Sequence, residues 1–268
     1  MNILLRQAKI IDPQSPYHNQ TADVFIQNGI ITAIGAPATA HCDKEIQING
    51  LCVSPGWVDL FAHFCDPGFE YKETLESGAA AAAAGGYTQV LVLPNTAPYI
   101  HNKAGVEYLV QRSKALPVSL LPIGGTTKNG EGKELAEMYD MYNAGAVAFS
   151  DGIKPVQSAG LLLKALQYLK AIDATIIQLP EDQTISPNGL MHEGITSTRL
   201  GLPGKPALAE ELAIARDIEL VKYTGSKIHF TGVSTARSVA LIAQAKAEGV
   251  PVTCSVTPYH LLFCDEDL

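Results

Sequence analysis

Over most of the 268-residue chain, short apolar runs alternate with longer stretches of helical period. The apolar runs predict strands at 58–64, 88–93, 118–124, 146–150, 175–179, 227–233 and 252–256. Helices are predicted between them, at about 73–85, 102–115, 131–144, 157–171, 207–224 and 234–248. Gly86, Gly145, Gly225 and Gly249 stand where helices should stop. Strand–helix alternation of this regularity implies a parallel sheet. It predicts an α/β fold of (β/α)8 TIM-barrel type, although seven strands are counted where a closed barrel needs eight. Residues 1–54 read differently. Ile3-Leu4-Leu5, Val24-Phe25-Ile26 and the run 30–34 are short strands, separated by the turn signals Asp12-Pro13 and Asn28-Gly29. The expected organisation is a small N-terminal β module at 1–54, incomplete by itself, and a barrel at 55–268 carrying strands one to seven.

Composition narrows the function classes. Charged residues make up 17%, against roughly 25% in typical soluble domains; such a surface suits subunit contacts. A net charge of -8 with no stripe of Lys and Arg excludes nucleic acid and membrane surfaces as partners. No run approaches the roughly 20 apolar residues of a membrane span. The N-terminus meets Arg6 too early for a secretory signal. Cys42, Cys52, Cys65, Cys254 and Cys264 are odd in number and lack CxxC spacing, so buried free thiols in a reducing cytoplasm are expected.

In a barrel of this kind the chemistry sits at the C-terminal ends of the strands. There the chain reads Phe61-Ala62-His63-Phe64-Cys65-Asp66-Pro67-Gly68, then Leu93-Pro94-Asn95-Thr96-Ala97-Pro98, then Ala148-Phe149-Ser150-Asp151. With the alanine run 79–84 closed by Gly85-Gly86, and with Ser197-Thr198-Arg199-Leu200-Gly201-Leu202-Pro203-Gly204, these motifs resemble the bacterial type I dihydroorotases of the amidohydrolase superfamily. The resemblance runs along the chain in order and at matching spacing.

That resemblance implies a zinc enzyme interconverting carbamoyl-aspartate and dihydroorotate. Its metal would come from a His-x-His pair on the first strand, an acidic residue after the fourth, one His each from the fifth and sixth, and an Asp from the eighth. Residues i and i+2 of a strand face the same way, so the paired His would both enter the barrel mouth. Here the pair is Phe61-x-His63, the fifth-strand His is Leu179, and the sixth-strand His is Gly232. Gly152 takes the acidic position, with Asp151 beside it, and the eighth-strand Asp would lie beyond Leu268. His63 is the one ligand position that keeps its residue type. The carboxylate-binding Arg of the family corresponds to Cys65, while the family's other substrate contact keeps its Asn as Asn95. Phe, Leu and Gly side chains offer no lone pair, and catalytic zinc takes three protein ligands.

The expectation is therefore a catalytically inactive dihydroorotase homologue in pyrimidine biosynthesis, without cofactor. The same resemblance suggests a structural partner of aspartate carbamoyltransferase catalytic chains, in a homo- or hetero-oligomer. The alternative is an active zinc cyclic amidohydrolase with a rebuilt site, for which His192 and His260 could join His63. Asp151, Glu181 and Asp182 form an acidic cluster usable for acid–base work, but loop and helix capping is their expected role. His229 faces away from Gly232 by strand parity and is expected in the core. Cys65 lacks a basic activator in sequence and is expected to be inert.

Overall fold

A computed structural model describes residues 1–35, 41–185 and 187–268, and the chain divides into two units, Met1–Trp57 and Val58–Leu268. The first unit is a five-stranded sheet of β1 (Asn2–Ile10), β2 (Thr21–Gln27), β3 (Ile30–Ile34), β4 (Lys44–Gln47) and β5 (Cys52–Val53). The tight Asn28-Gly29 turn, where both residues adopt positive φ, closes the antiparallel β2–β3 hairpin, and β1 pairs antiparallel with β2. The module's core is small, built on Ala8, Ile10 and Val24.

The second unit carries seven strands in spatial order β14-β13-β10-β9-β8-β7-β6, which is their order along the chain. These are β6 (Trp57–Ala62), β7 (Tyr87–Val92), β8 (Ser119–Gly124), β9 (Ala148–Phe149), β10 (Thr175–Gln178), β13 (Lys227–Phe230) and β14 (Val252–Cys254). From β7 to β14 each neighbouring pair is parallel. The crossovers are α1 (Leu75–Ala84), α2 (Lys103–Ser113), α3 (Met138–Ala144), α4 (Ala159–Lys170), α6 (Leu208–Thr224) and α7 (Ala236–Ala247). The result is the curled parallel half-barrel of the amidohydrolase fold, matching the fold expected from sequence.

Two apolar layers follow from strand alternation. Val90 and Val92 of β7 point toward the helices and join Leu109, Phe149, Leu162, Leu166 and Phe230 in the main core. Leu91 and Leu93 point the other way and join Ile123, Ala148 and Ile177 on the inner face. Phe149 and Phe230 are fully buried, each contributing about 2 kcal/mol through burial alone. Helix ends obey their local signals. Thr74, Asn102, Ser158 and Thr235 accept hydrogen bonds from the first turns of α1, α2, α4 and α7, while Gly145 and Gly225 close α3 and α6 in left-handed conformation.

Three expectations need correction. The helix predicted at 131–144 begins only at Met138; residues 131–137 are irregular, because Thr127 and Leu135 bridge and close this stretch into a loop. Between β10 and α6 lie elements that the apolar pattern did not signal: β11 (Met191–His192), α5 (Ile195–Leu200) and β12 (Gly204–Lys205), with β11 and β12 pairing in parallel. A short α8 (Pro258–Leu262) follows β14. Of the free cysteines only Cys65 is buried; Cys52, Cys254 and Cys264 are exposed. Among the described residues no helix is long and apolar enough to cross a membrane.

Candidate functional site

The residues aligned with a metal centre divide into three local contacts at the strand ends: Phe61 with an apolar cluster, Leu179 with Gly232, and His63 and Gly152 with Asn95. Phe61 packs against the inner-face cluster of Leu91, Leu93, Ile123, Ala148 and Ile177. Gly232 has φ +72, and a Cβ there would lie 3.1 Å from Leu179 Cδ1. A side chain at 232 would therefore press on the end of Leu179. Gly152 has φ +68, and the place of its missing Cβ is taken by the Asn95 amide.

Asn95 is fully engaged there. Its Nδ2 donates to the Asp151 carbonyl at 3.2 Å, and its Oδ1 accepts from the Ile153 N–H at 3.3 Å. His63 Nε2 lies 2.9 Å from the Asn95 carbonyl oxygen, where only an N–H can satisfy the contact. The one retained ligand position therefore presents a proton, not a lone pair, toward its neighbour. Among the described residues no group of three or more His, Cys, Asp or Glu could hold a metal ion. The side chains at 61, 152, 179 and 232 do not fit zinc, and no chemical step is derived through it.

The other candidates separate cleanly. Asp151 is 1% exposed, and its carboxylate accepts from the Thr127 N–H at 2.8 Å and the Thr127 hydroxyl at 2.5 Å. Burial raises its pKa above the usual carboxylate range, with the Thr127 bonds acting in the opposite direction. Asp182 accepts from the Thr184 N–H and hydroxyl, a loop-capping arrangement that holds its pKa low. His229 is buried, with Nδ1 2.8 Å from the Thr253 hydroxyl and Nε2 2.9 Å from the Ser255 hydroxyl. Burial, then the Lys246 charge, lowers its pKa and favours a neutral core histidine. The Cys65 thiol is buried and lies 3.8 Å from the His63 carbonyl.

Beside Leu179 and Gly232 opens a cavity of about 290 Å³, the small end of the range for metabolite pockets. His192, His260, Lys205 and Glu181 line it; His63 does not. Lys205 Nζ stands 2.8 Å from Glu181 Oε1 on its wall. Glu210 borders the same space but is committed to the start of α7, accepting from the Ser234 N–H and hydroxyl and from the Thr235 N–H. The Thr257 N–H donates to His260 Nδ1 at 3.1 Å, so Nδ1 carries the lone pair and the neutral ring holds its proton on Nε2. The sequence named both histidines, but their meeting depends on β11 and α8, which its periodicity did not signal.

The chain matches the dihydro-orotase-like family over residues 50–238. It is 44% identical over 266 residues to a dihydroorotase of Pelotomaculum thermopropionicum, covering 99% of this chain and 62% of that protein. Dihydroorotases of Pelobacter propionicus and Geobacter sulfurreducens are each 41% identical, again over 99% of this chain and 63% of theirs. The chain thus spans just over three fifths of the length of these relatives. Among solved structures, an L-hydantoinase (dihydropyrimidinase) from Arthrobacter aurescens superposes with a TM-score of 0.81 at 25% identity, over 99% of this chain and 60% of that one. A D-hydantoinase shares the fold at a TM-score of 0.78 and 21% identity, over 99% of this chain and 59% of its own.

These relatives correct the expectation of a chain without enzymatic function. Proteins 41–44% identical along 99% of it carry the name of an enzyme. Loss of one ligand set is not loss of all chemistry, and the identity extends along 99% of this chain. The chain belongs to the dihydroorotase-like family.

Proposed function

We propose that this protein catalyses the interconversion of dihydroorotate and carbamoyl-aspartate, a step of pyrimidine biosynthesis in the cytoplasm. The observation that carries this reading is the 44% identity, over 99% of the chain, to a protein named dihydroorotase. We place the reaction in the cavity bordered by His192, Lys205 and His260, without zinc as a participant. What supports that placement is the set of polar groups lining a cavity in which the aligned ligand positions 179 and 232 carry Leu and Gly.

In the hydrolytic direction water adds across the ring C–N bond. Its oxygen joins the carbonyl carbon, and the ring nitrogen takes a proton as the bond breaks. His192 is suited to take the proton from water and return it to the ring nitrogen as the C–N bond breaks. His260, with its proton on Nε2, is suited to donate a hydrogen bond to the carbonyl oxygen as charge develops there, and the Lys205 ammonium to hold the substrate carboxylate. Dihydroorotate turnover by the full-length protein, followed in ultraviolet absorbance with and without added zinc, tests both parts. Turnover that persists after chelation and does not rise with zinc is expected. No turnover in either condition overturns the reaction, and turnover only with zinc overturns the placement.

We further propose catalytic chains of aspartate carbamoyltransferase as partners, since carbamoyl-aspartate is what such chains produce. The exposed apolar residues Leu190, Ile195 and Leu200, close together in sequence, support a subunit contact. The two proteins are expected to co-elute in size-exclusion chromatography, and independent elution at micromolar concentration rejects the pairing.

A further inference from the structure

The loops after β9 and β10 both reach the mouth; the first is tied to one side chain of an outer helix and the second to the first through Gln157. Arg216 on α6 donates through Nη1 to the Gln157 carbonyl at 2.7 Å and through Nη2 to the Val156 carbonyl at 3.1 Å. Its Nε donates to Asp217 Oδ1 at 2.7 Å. Every face of the guanidinium fork is therefore directed, two toward the β9 loop and one toward the carboxylate that orients it. Asp217 is 1% exposed, and its Oδ2 has no hydrogen-bond partner among the described residues. The Gln178 side chain at the end of β10 also acts on this carboxylate, holding it toward its charged form, so the Arg216–Asp217 pair sits against β10 as well as against the β9 loop.

From the β9 loop the chain of bonds continues. Gln157 Nε2 donates to the Glu181 carbonyl at 2.9 Å, and its Oε1 accepts from the Gln183 N–H at 2.9 Å. Gln178, at the end of β10, accepts from the Val156 N–H at 3.4 Å. The β9 loop begins at Asp151-Gly152-Ile153, the segment gripped by Asn95. The β10 loop carries Glu181, which holds Lys205 on the cavity wall. Movement of either loop would carry Lys205 or the Asn95-bound turn with it.

We infer that Arg216, oriented by Asp217, is a positioning residue that sets the β9 and β10 loops and through them the wall of the cavity. It does not touch the cavity itself, and Gln157 transmits its hold from one loop to the other. This inference rests on the proposed reaction only for its kinetic readout.

The test compares Arg216→Lys and Gln157→Ala with wild type in the full-length protein, by hydrogen exchange and by dihydroorotate kinetics. Lysine keeps a positive charge beside Asp217 but cannot bridge both carbonyls. Gln157→Ala leaves the Arg216–Asp217 pair intact, so the measurement does not depend on one variant folding well. Amides in 152–157 and 181–184 are expected to exchange about tenfold faster in both variants, with the interior of α6 unchanged. The kinetic counterpart is a KM rise of about fivefold with kcat nearly constant, the signature of a misplaced binding wall. Wild-type exchange in both loops, or acceleration spread evenly across the barrel, overturns the inference. If wild type does not turn over dihydroorotate, the proposed reaction fails and the exchange data alone decide the positioning role.

Discussion

Replacing His260 with Ala is expected to cut dihydroorotate turnover by about 100-fold, the usual cost of removing one hydrogen-bond donor from a developing oxyanion. The Thr257 backbone N–H can only donate, so His260 Nδ1 must accept, and Nε2 carries the proton. His192→Ala is expected to lose a similar factor. A His63→Ala control is expected to retain turnover, because His63 Nε2 is engaged with the Asn95 carbonyl and does not line the cavity. Loss of activity in the His63 variant alone, with both other histidines dispensable, would return the chemistry to the family's original position.

The second large effect concerns Asp217. Burial pushes its carboxyl up to about 6 from 3.8, with the Arg216 charge opposing the shift. A folded-state pKa above the unfolded value means that the folded state holds the proton more tightly between these two values. Stability therefore falls as pH rises from about 4 to about 6, by about 3 kcal/mol for this group, and stays at the lower level above that range. Asp217→Asn keeps an oxygen for Arg216 Nε but removes the buried charge. The variant is expected to be at least as stable as wild type at pH 7.5 and to lack this slope. Urea midpoints at pH 4.5, 6 and 7.5 check it; a parallel pH dependence in wild type and variant would show that Asp217 is already ionised throughout.

The two predictions draw on different kinds of information, and the difference marks what the sequence could reveal. Strand–helix alternation placed all seven barrel strands, because burial on both faces of a parallel sheet leaves continuous apolar runs bounded by caps. The family resemblance, and no local pattern, aligned Phe61, Gly152, Leu179 and Gly232 with ligand positions; that these four side chains carry no lone pair follows from residue type alone.

Residue type could not say what fills the space. That the end of Leu179 lies against Gly232, and that Asn95 takes the room over Gly152, depends on strands brought together by the crossovers. The loop at 131–137 looked helical because its composition is helix-compatible, and it fails to be so because Thr127 pairs with Leu135. Local propensity loses to a tertiary bridge. The meeting of His192 and His260, separated by most of two β/α units, is likewise a product of folding.

The sequence by itself determined the α/β architecture, the two-part organisation and the absence of zinc-ligand side chains at three strand ends, because each is a property of residue type and local period. Only the tertiary structure decided that Asn95 takes the space over Gly152, that Leu179 and Gly232 border a cavity lined by two histidines, and that Arg216 and Gln157 together join two mouth loops. Each of these depends on contacts between residues far apart in the chain, whose geometry no local pattern encodes.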